Sequence, residues 1–209
     1  MSYQYVDNYP RKEIFDFFSN VSNPFYMVSF KLDITKLHEF VKANGLSFYY
    51  TMIYFINTAL NRTSAFRYCL KDGKLALLDK RDPSFTDIRK DEECFYIVTM
   101  PFVDDVFEFN RLAKEKSAKQ KCFIDYASEC DDLVYYSCLP EVNLTALTNE
   151  FNHTDDLKND SVPRIAWGRF QKIHGKVEIT ISMEVNHRFI DGLHISSFIK
   201  ELERGIEKL

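Results

Sequence analysis

The stretch from Gly175 to His187 (GKVEITISMEVNH) constrains the fold of this chain more than any other. Val177, Ile179, Ile181, Met183 and Val185 fall on one side of an extended backbone, and Glu178, Thr180, Ser182, Glu184 and Asn186 on the other. Successive side chains of a strand point to opposite faces, so the pattern predicts one long strand with a single apolar face. By the same parity His187 belongs to the apolar face, at the strand's last step. A tight turn through Asp191-Gly192 follows. Ile195, Phe198, Ile199, Leu202, Ile206 and Leu209 then recur at about 3.6 residues, the period of an amphipathic helix.

The remaining chain reads as short strands and helices. Arg11 to Phe18 is expected to be a helix, with Pro10 before it where a missing N–H costs little. Tyr26 to Ile34 reads as a strand, and Ile34 to Ala43 as a helix stopping near Gly45. Ser47 is the expected N-cap of a longer helix whose body, Phe48 to Leu60, is apolar on nearly all sides and so buried. Phe66 to Leu70 and Leu75 to Leu78 flank Asp72-Gly73, the signature of a tight hairpin. Cys94 to Met100 and Leu133 to Leu139 read as strands, and Val106 to Lys119 as a helix with Phe109, Leu112 and Ala113 inward. Asn152 to Pro163 is polar and reads as a loop. No internal repeat or low-complexity linker is visible.

A length of 209 residues fits one compact domain over 1–209, and 45% apolar residues with 19 Phe supply a core that excludes disorder. A net charge of -4 argues against nucleic-acid binding, which needs a basic surface. The basic run Lys114 to Lys121 reads as a solvated helix face, with steering of an anionic ligand as the alternative. Cys69, Cys94, Cys122, Cys130 and Cys138 are odd in number and form no CxxC pair, so five reduced thiols in a reducing compartment are expected. The N-terminus lacks a basic segment followed by an apolar run, so no signal peptide is expected. No apolar stretch is long enough to span a membrane. The expectation is a soluble cytoplasmic protein.

His187 stands where a strand meets a turn leading into a helix, a place that can present one side chain to a cleft on a rigid backbone. A half-buried imidazole there can stay neutral near pH 7, as a general base must. Asp191 can orient the turn or cap the helix. Taken alone, HxxxDG reads equally as a packed histidine followed by ordinary turn chemistry. There is no Gly-rich phosphate loop and no G-x-S-x-G elbow. His38, His153, His174 and His194 lack metal-ligand spacing and read as ordinary surface or core residues, so no metal is expected.

The segment Asn186-His187-Arg188-Phe189-Ile190-Asp191-Gly192 resembles the HHxxxDG signature of the chloramphenicol acetyltransferases. It equally resembles the DHRxxDG signature of dihydrolipoyl acyltransferase catalytic domains, which share that fold. Other landmarks favour the first family: Arg11-Lys12-Glu13, Leu32-Asp33-Ile34-Thr35, Phe66-Arg67, Lys71-Asp72-Gly73 with a strand ending at Asp79, and Pro83-Ser84-Phe85-Thr86. They occur in order and at matching spacing, so the resemblance covers nearly the whole chain. The lipoamide version is disfavoured because no lipoyl domain or Ala/Pro-rich linker precedes the fold.

The resemblance implies an α/β two-layer sandwich, a mixed β-sheet packed against helices, assembled as a homotrimer with active sites between subunits. It implies O-acetylation from acetyl-CoA as co-substrate, with chloramphenicol as the acceptor and antibiotic inactivation as the outcome. It gives His187 the role of base and pairs Asp191 with Arg11 in a buried ion pair that holds the histidine loop. Phe17, Phe18, Phe95 and Leu133 match positions lining the acceptor pocket, with Thr86 near it. The family's Pro-Trp-x-x-Phe-Thr-Ser stretch, whose serine stabilises the oxyanion, corresponds to Pro140-Glu141-Val142-Asn143-Leu144-Thr145-Ala146. Ala146 stands where the serine would be, and Glu141 replaces the tryptophan. A second family hydroxyl corresponds to Ala166, and the first histidine of the family pair to Asn186. Losing one oxyanion donor costs roughly 100- to 1000-fold in rate. Thr145, Asn143 and Thr148 are the candidates to substitute. The alternatives are a different hydroxyl or thiol acceptor, or a non-catalytic protein binding CoA or a small molecule on the same scaffold.

Overall fold

The computed structural model describes residues 2–89, 92–150 and 157–209. The long alternating strand is its organising element. Numbered in chain order it is β10 (Lys176–Asn186). It pairs antiparallel with β2 (Phe25–Asp33) along its length, from Glu178 opposite Asp33 to Asn186 opposite Phe25. On its other side runs β8 (Arg164–Trp167), also antiparallel. Parallel neighbours follow, β7 (Leu133–Cys138) and β5 (Asp82–Ile88), and β6 (Phe95–Thr99) closes the edge antiparallel. β9 (Gln171–Ile173) folds back onto the start of β10. The sheet is therefore mixed, in the order β2-β10-β8-β7-β5-β6.

The apolar face of β10 meets the helices. Ile179, Ile181, Met183 and Val185 share one buried cluster with residues of α2 (Thr35–Asn44), α3 (Phe48–Arg62), α4 (Val106–Lys119) and α5 (Gly192–Glu207). Each fully buried Leu, Ile or Phe contributes about 1.5–3 kcal/mol to this layer contact. α3 begins at Ser47, whose hydroxyl accepts from the Tyr50 amide, and its Met52, Ile53, Ile56 and Leu60 are fully buried. Gly45 ends α2 in the left-handed conformation at φ 63°. α1 (Lys12–Ser19) has no fully buried residue and packs Phe15 against this cluster. A second sheet of β1 (Tyr3–Tyr5), β4 (Lys74–Leu78) and β3 (Tyr68–Lys71) completes the architecture.

The polar side of β10 is not a solvated face. Ser182, Glu184 and Asn186 are buried. Ser182 Oγ accepts from the Leu147 amide and donates to its carbonyl, both at 2.9 Å. Glu184 accepts from the amide and side chain of Asn149 at 2.5 and 2.8 Å. Asn186 Nδ2 donates to the carbonyls of Lys158 and Asp160. Chain between the strands thus covers this face, and the polar residues satisfy its backbone.

Several expectations need correction. The Asp72-Gly73 hairpin forms, with φ 52° and 73°, but its first arm starts at Tyr68. Ser64–Arg67 is a 3-10 turn instead, because Phe66 is buried against Phe198 and its carbonyl is taken by the Arg81 guanidinium. Gly175 belongs to a turn with His174, at φ 80° and 49°, that joins β9 to β10. Within the expected 152–163 loop, Leu157–Asn159 forms a 3-10 turn, while positions 152 to 156, His153 among them, lie outside the described residues. Strands β1, β5, β8 and β9 had no sequence expectation. The basic run of α4 is solvated at Lys114, Lys116, Lys119 and Lys121, with Ser117 and Gln120 inward. Among the described residues, no helix is long and apolar enough to cross a membrane.

Candidate active site

His187 is the first residue beyond β10. Its amide donates to the Pro24 carbonyl at 2.9 Å, which ties it to the chain entering β2. The Asn186 carbonyl accepts from the amides of Phe189 and Ile190, both at 3.1 Å, and closes the turn that carries His187. At the other end of that turn Asp191 is the N-cap of α5 and accepts from the amides of Leu193 and His194. Its second carboxylate oxygen is 2.6 Å from Arg11 Nη1. Arg11 and Asp191 keep 18% and 26% of their side-chain surface, so the pair is half-buried rather than buried as expected. The turn is thus held at both ends.

The imidazole of His187 lies between two aromatic rings. Phe18, on α1, stacks against it with centroids 4.0 Å apart and planes 26° inclined. Tyr26, on β2, lies 4.4 Å away, and its hydroxyl donates to the Ile190 carbonyl at 3.3 Å. Further back Arg188 covers Phe15 and donates to Lys158 O and Asn159 Oδ1.

These walls set the electrostatics. Burial disfavours the imidazolium, Asp191 opposes that effect, Arg11 adds to it, and the result lies below the ordinary value of 6.5. His187 is therefore neutral near pH 7. Asp191 would be raised by burial, but the hydrogen bond and charge of Arg11 and the hydrogen bond from the His194 amide outweigh that and lower it. Burial, helped by the Asp191 charge, pushes the Tyr26 phenol up to about 12 and keeps it protonated. A neutral, half-exposed imidazole on an anchored turn can accept a proton from a bound hydroxyl.

The other expected site residues do not gather there within one chain. Phe17 is 66% exposed, with its ring 5.0 Å from that of Phe18. Thr145 and Ala146 are exposed, and the Thr145 carbonyl accepts from Ser29 Oγ at 2.5 Å. Ser29 faces Ser182 in register, five residues before His187, or roughly 16 Å along the strand. Thr86 continues β5 three strands away from β10, with its hydroxyl 3.4 Å from Ser137 Oγ. Phe95 sits beyond it on the edge strand, exposed beside Phe123 at 5.3 Å. Leu133 is 1% exposed at the start of β7, and it alternates with Val134 and Tyr136 of the helix-facing core. Leu133 thus points to the sheet face away from His187.

Ala166 is fully buried in β8, in register between Ser182 of β10 and Ser137 of β7. Gly168 follows, and a Cβ there would meet Val142 O at 2.4 Å and Leu144 Cβ at 2.6 Å. The segment carrying Thr145 and Ala146 therefore lies directly on the end of β8. It borders a cleft of about 190 Å³ lined by Asn143, Leu144, Thr145, Arg169 and Lys31.

Sequence reading missed two residues of the site. Tyr26 was only a strand residue, although β2 brings it opposite Val185 and hence beside His187. His194 was set aside, although it stands three residues after the N-cap, where a side chain reaches back to the cap amide. Among the described residues, all five cysteines are unpaired, and no three His, Cys, Asp or Glu side chains are grouped to hold a metal ion.

A mixed sheet with helices on one face and an anchored histidine ending its longest strand defines the CoA-dependent acyltransferase fold. A solved chloramphenicol acetyltransferase superposes with a TM-score of 0.87 at 26% identity, covering 98% of this chain and 100% of that one. A probable dihydrolipoamide acetyltransferase from Listeria monocytogenes shares the fold at TM-score 0.68 and 16% identity, covering 98% and 94%. Residues 1–203 match the chloramphenicol acetyltransferase family, and the chain belongs to it. Chloramphenicol acetyltransferase of Clostridium perfringens is 29% identical over 95% of this chain and 91% of its own length. Chloramphenicol acetyltransferase 3 of Escherichia coli is 28% identical over 95% and 93%. The chain is an acyltransferase of this family.

Proposed function

We propose that the chain, a single domain over 1–209, transfers the acetyl group of acetyl-CoA to a hydroxyl of chloramphenicol, with His187 as general base. The observation that carries this reading is the neutral imidazole held between Phe18 and Tyr26 on a turn clamped by Arg11 and Asp191. His187 takes the hydroxyl proton as the oxygen attacks the thioester carbonyl carbon. The tetrahedral oxyanion collapses with cleavage of the C–S bond. The imidazolium then returns its proton to the departing sulfur, leaving the acetyl ester and free CoA thiol. Acetyl-CoA is the co-substrate, and the chemistry uses no metal.

The oxyanion needs donors, and the side chains of Ala146 and Ala166 offer none. Thr145 lies next to the first, and the hydroxyls of Ser137 and Ser182 flank the second in register. Rate is therefore expected below that of a family member carrying both hydroxyls.

The site is completed by a second copy of the chain, in a trimer. Thr86, Phe95, Thr145 and Ala146 lie too far from His187 in their own chain to share an acceptor with it, and exposed Phe17, Phe95 and Phe123 supply apolar surface for the contact. Five unpaired thiols suit the cytoplasm. The test is mass spectrometry of chloramphenicol after incubation with acetyl-CoA and the enzyme. A singly acetylated product supports the reading. Unmodified drug beside a trimer by ultracentrifugation redirects it to another acceptor.

A further inference from the structure

His194 sits in the first turn of α5, and four contacts converge on it, one of them the approach of its Nδ1 to Asp191 Oδ1. Its amide donates to Asp191 Oδ1 at 3.3 Å. Its Nδ1 accepts from the Asp191 amide at 3.1 Å, which closes a reciprocal cap. Arg11 Nη1 lies 3.4 Å from the ring, and the same nitrogen holds the Asp191 carboxylate. An acceptor at Nδ1 fixes the neutral tautomer with its proton on Nε2. The cap joins directly to the turn of His187: Asp191 follows Ile190, whose carbonyl takes the hydroxyl of Tyr26, and the Tyr26 ring walls His187.

We propose that neutral His194 is a positioning residue for His187, closing the cap of α5 on the Asp191 amide and so fixing the turn that carries the imidazole. Protonation turns Nδ1 from acceptor to donor, which gives up the bond from the Asp191 amide and turns the ring to Asp191 Oδ1, 3.1 Å from Nδ1. It also sets a cation beside Arg11. The groups facing His194 decide whether a proton is welcome. Asp191 attracts one; Arg11 repels it, as do Arg62 of α3 and Lys200 and Arg204 of α5 in the cleft that His194 borders, where Glu201 is the one carboxylate. Burial, with the Arg11 charge, outweighs the Asp191 attraction and keeps the ring below 6.5. Stability held by the cap is thus fully present above pH 6.5 and is lost as pH falls below it through the folded value.

The effect on turnover rests on the reading of His187 as base; the effect on the fold does not. The experiment compares wild type, His194→Gln and His194→Ala. Glutamine at this cap position accepts from the cap amide and does not titrate. Melting temperature is followed from about pH 8 to about pH 5.5, across the histidine range, and kcat/KM is measured over the same span. At pH 8 the Gln variant is expected within about threefold of wild-type kcat/KM, and the Ala variant about tenfold lower with KM little changed. On acidification wild type loses more melting temperature than His194→Gln, because only wild type breaks its cap. Parallel melting curves for wild type and His194→Gln, or a Gln variant as impaired as Ala at pH 8, would overturn the proposal. A wild type without turnover would count against His187 as base, and the melting curves would then decide the role of His194 alone.

Discussion

The imidazole of His187 lies almost flat on the ring of Phe18, with centroids 4.0 Å apart. Phe18 comes from the first helix and His187 from the end of the tenth strand, so the stack joins the two ends of the chain at the site. It also removes one face of the imidazole from water, which is the main reason the ring stays neutral.

Replacing that wall should return the base toward its ordinary titration. In Phe18→Ala, the His187 pKa is expected to rise toward 6.5. The neutral form is the active one, so the acid limb of kcat/KM lies below pH 6.5 in wild type and moves up in the variant. An NMR titration of the His187 ring protons, set beside the rate profile, checks both shifts together.

The clamp on the turn separates into charge and cap. Asp191→Asn keeps a good N-cap but leaves Arg11 half-buried without its carboxylate. Asp191→Ala loses both and is expected to cost about 1 kcal/mol more. Because the turn positions the base, either change should lower kcat by roughly tenfold to a hundredfold, as small misplacements of reacting groups do. Denaturant melts and steady-state kinetics on the two variants, with Arg11→Gln as the reciprocal change, measure the separation.

Gly168 is required by space. A Cβ at this position would fall inside contact distance of Val142 O, Leu144 Cβ and Leu144 N. The Val142 carbonyl is also held by the Arg169 amide at 2.8 Å, so the segment cannot step aside freely. Gly168→Ala is expected to destabilise by about 1–3 kcal/mol and to displace Thr145 and Ala146. A fall in the denaturation midpoint, together with lower turnover, is the expected outcome.

Arg81 is the most deeply buried cation among the described residues. It donates to the carbonyls of Phe66, Tyr68, Asp131 and Leu133 and to Ser161 Oγ, joining the small sheet to the start of β7. Arg81→Met leaves those acceptors buried without a donor and is expected to cost about 3 kcal/mol or more. Arg81→Lys should rescue little, because a single ammonium cannot reach a fork of five acceptors. Thermal melts of the two variants compare the costs.

The legible parts of the sequence were those with a period or a cap. β10 announced itself by alternation, α5 by its apolar stripe, α3 by Ser47, and the β3–β4 turn by Asp72-Gly73. β5 was missed because Pro83 and Asp87 interrupt it, although its neighbours on both sides satisfy the backbone. β8 was missed because four residues buried on both faces carry no alternation. His187, Asp191 and Arg11 were read from sequence, and the fold brings Arg11 and Asp191 together across 180 positions, a distance no local pattern spans. Tyr26 and His194 became visible only through strand register and cap geometry.

The most direct test of the account is release of free CoA thiol from acetyl-CoA in the presence of chloramphenicol, comparing wild type with His187→Ala. Thiol release is expected to depend on the drug in wild type and to be abolished in His187→Ala, with both proteins melting alike. Drug-dependent release that survives the loss of His187 would contradict the account.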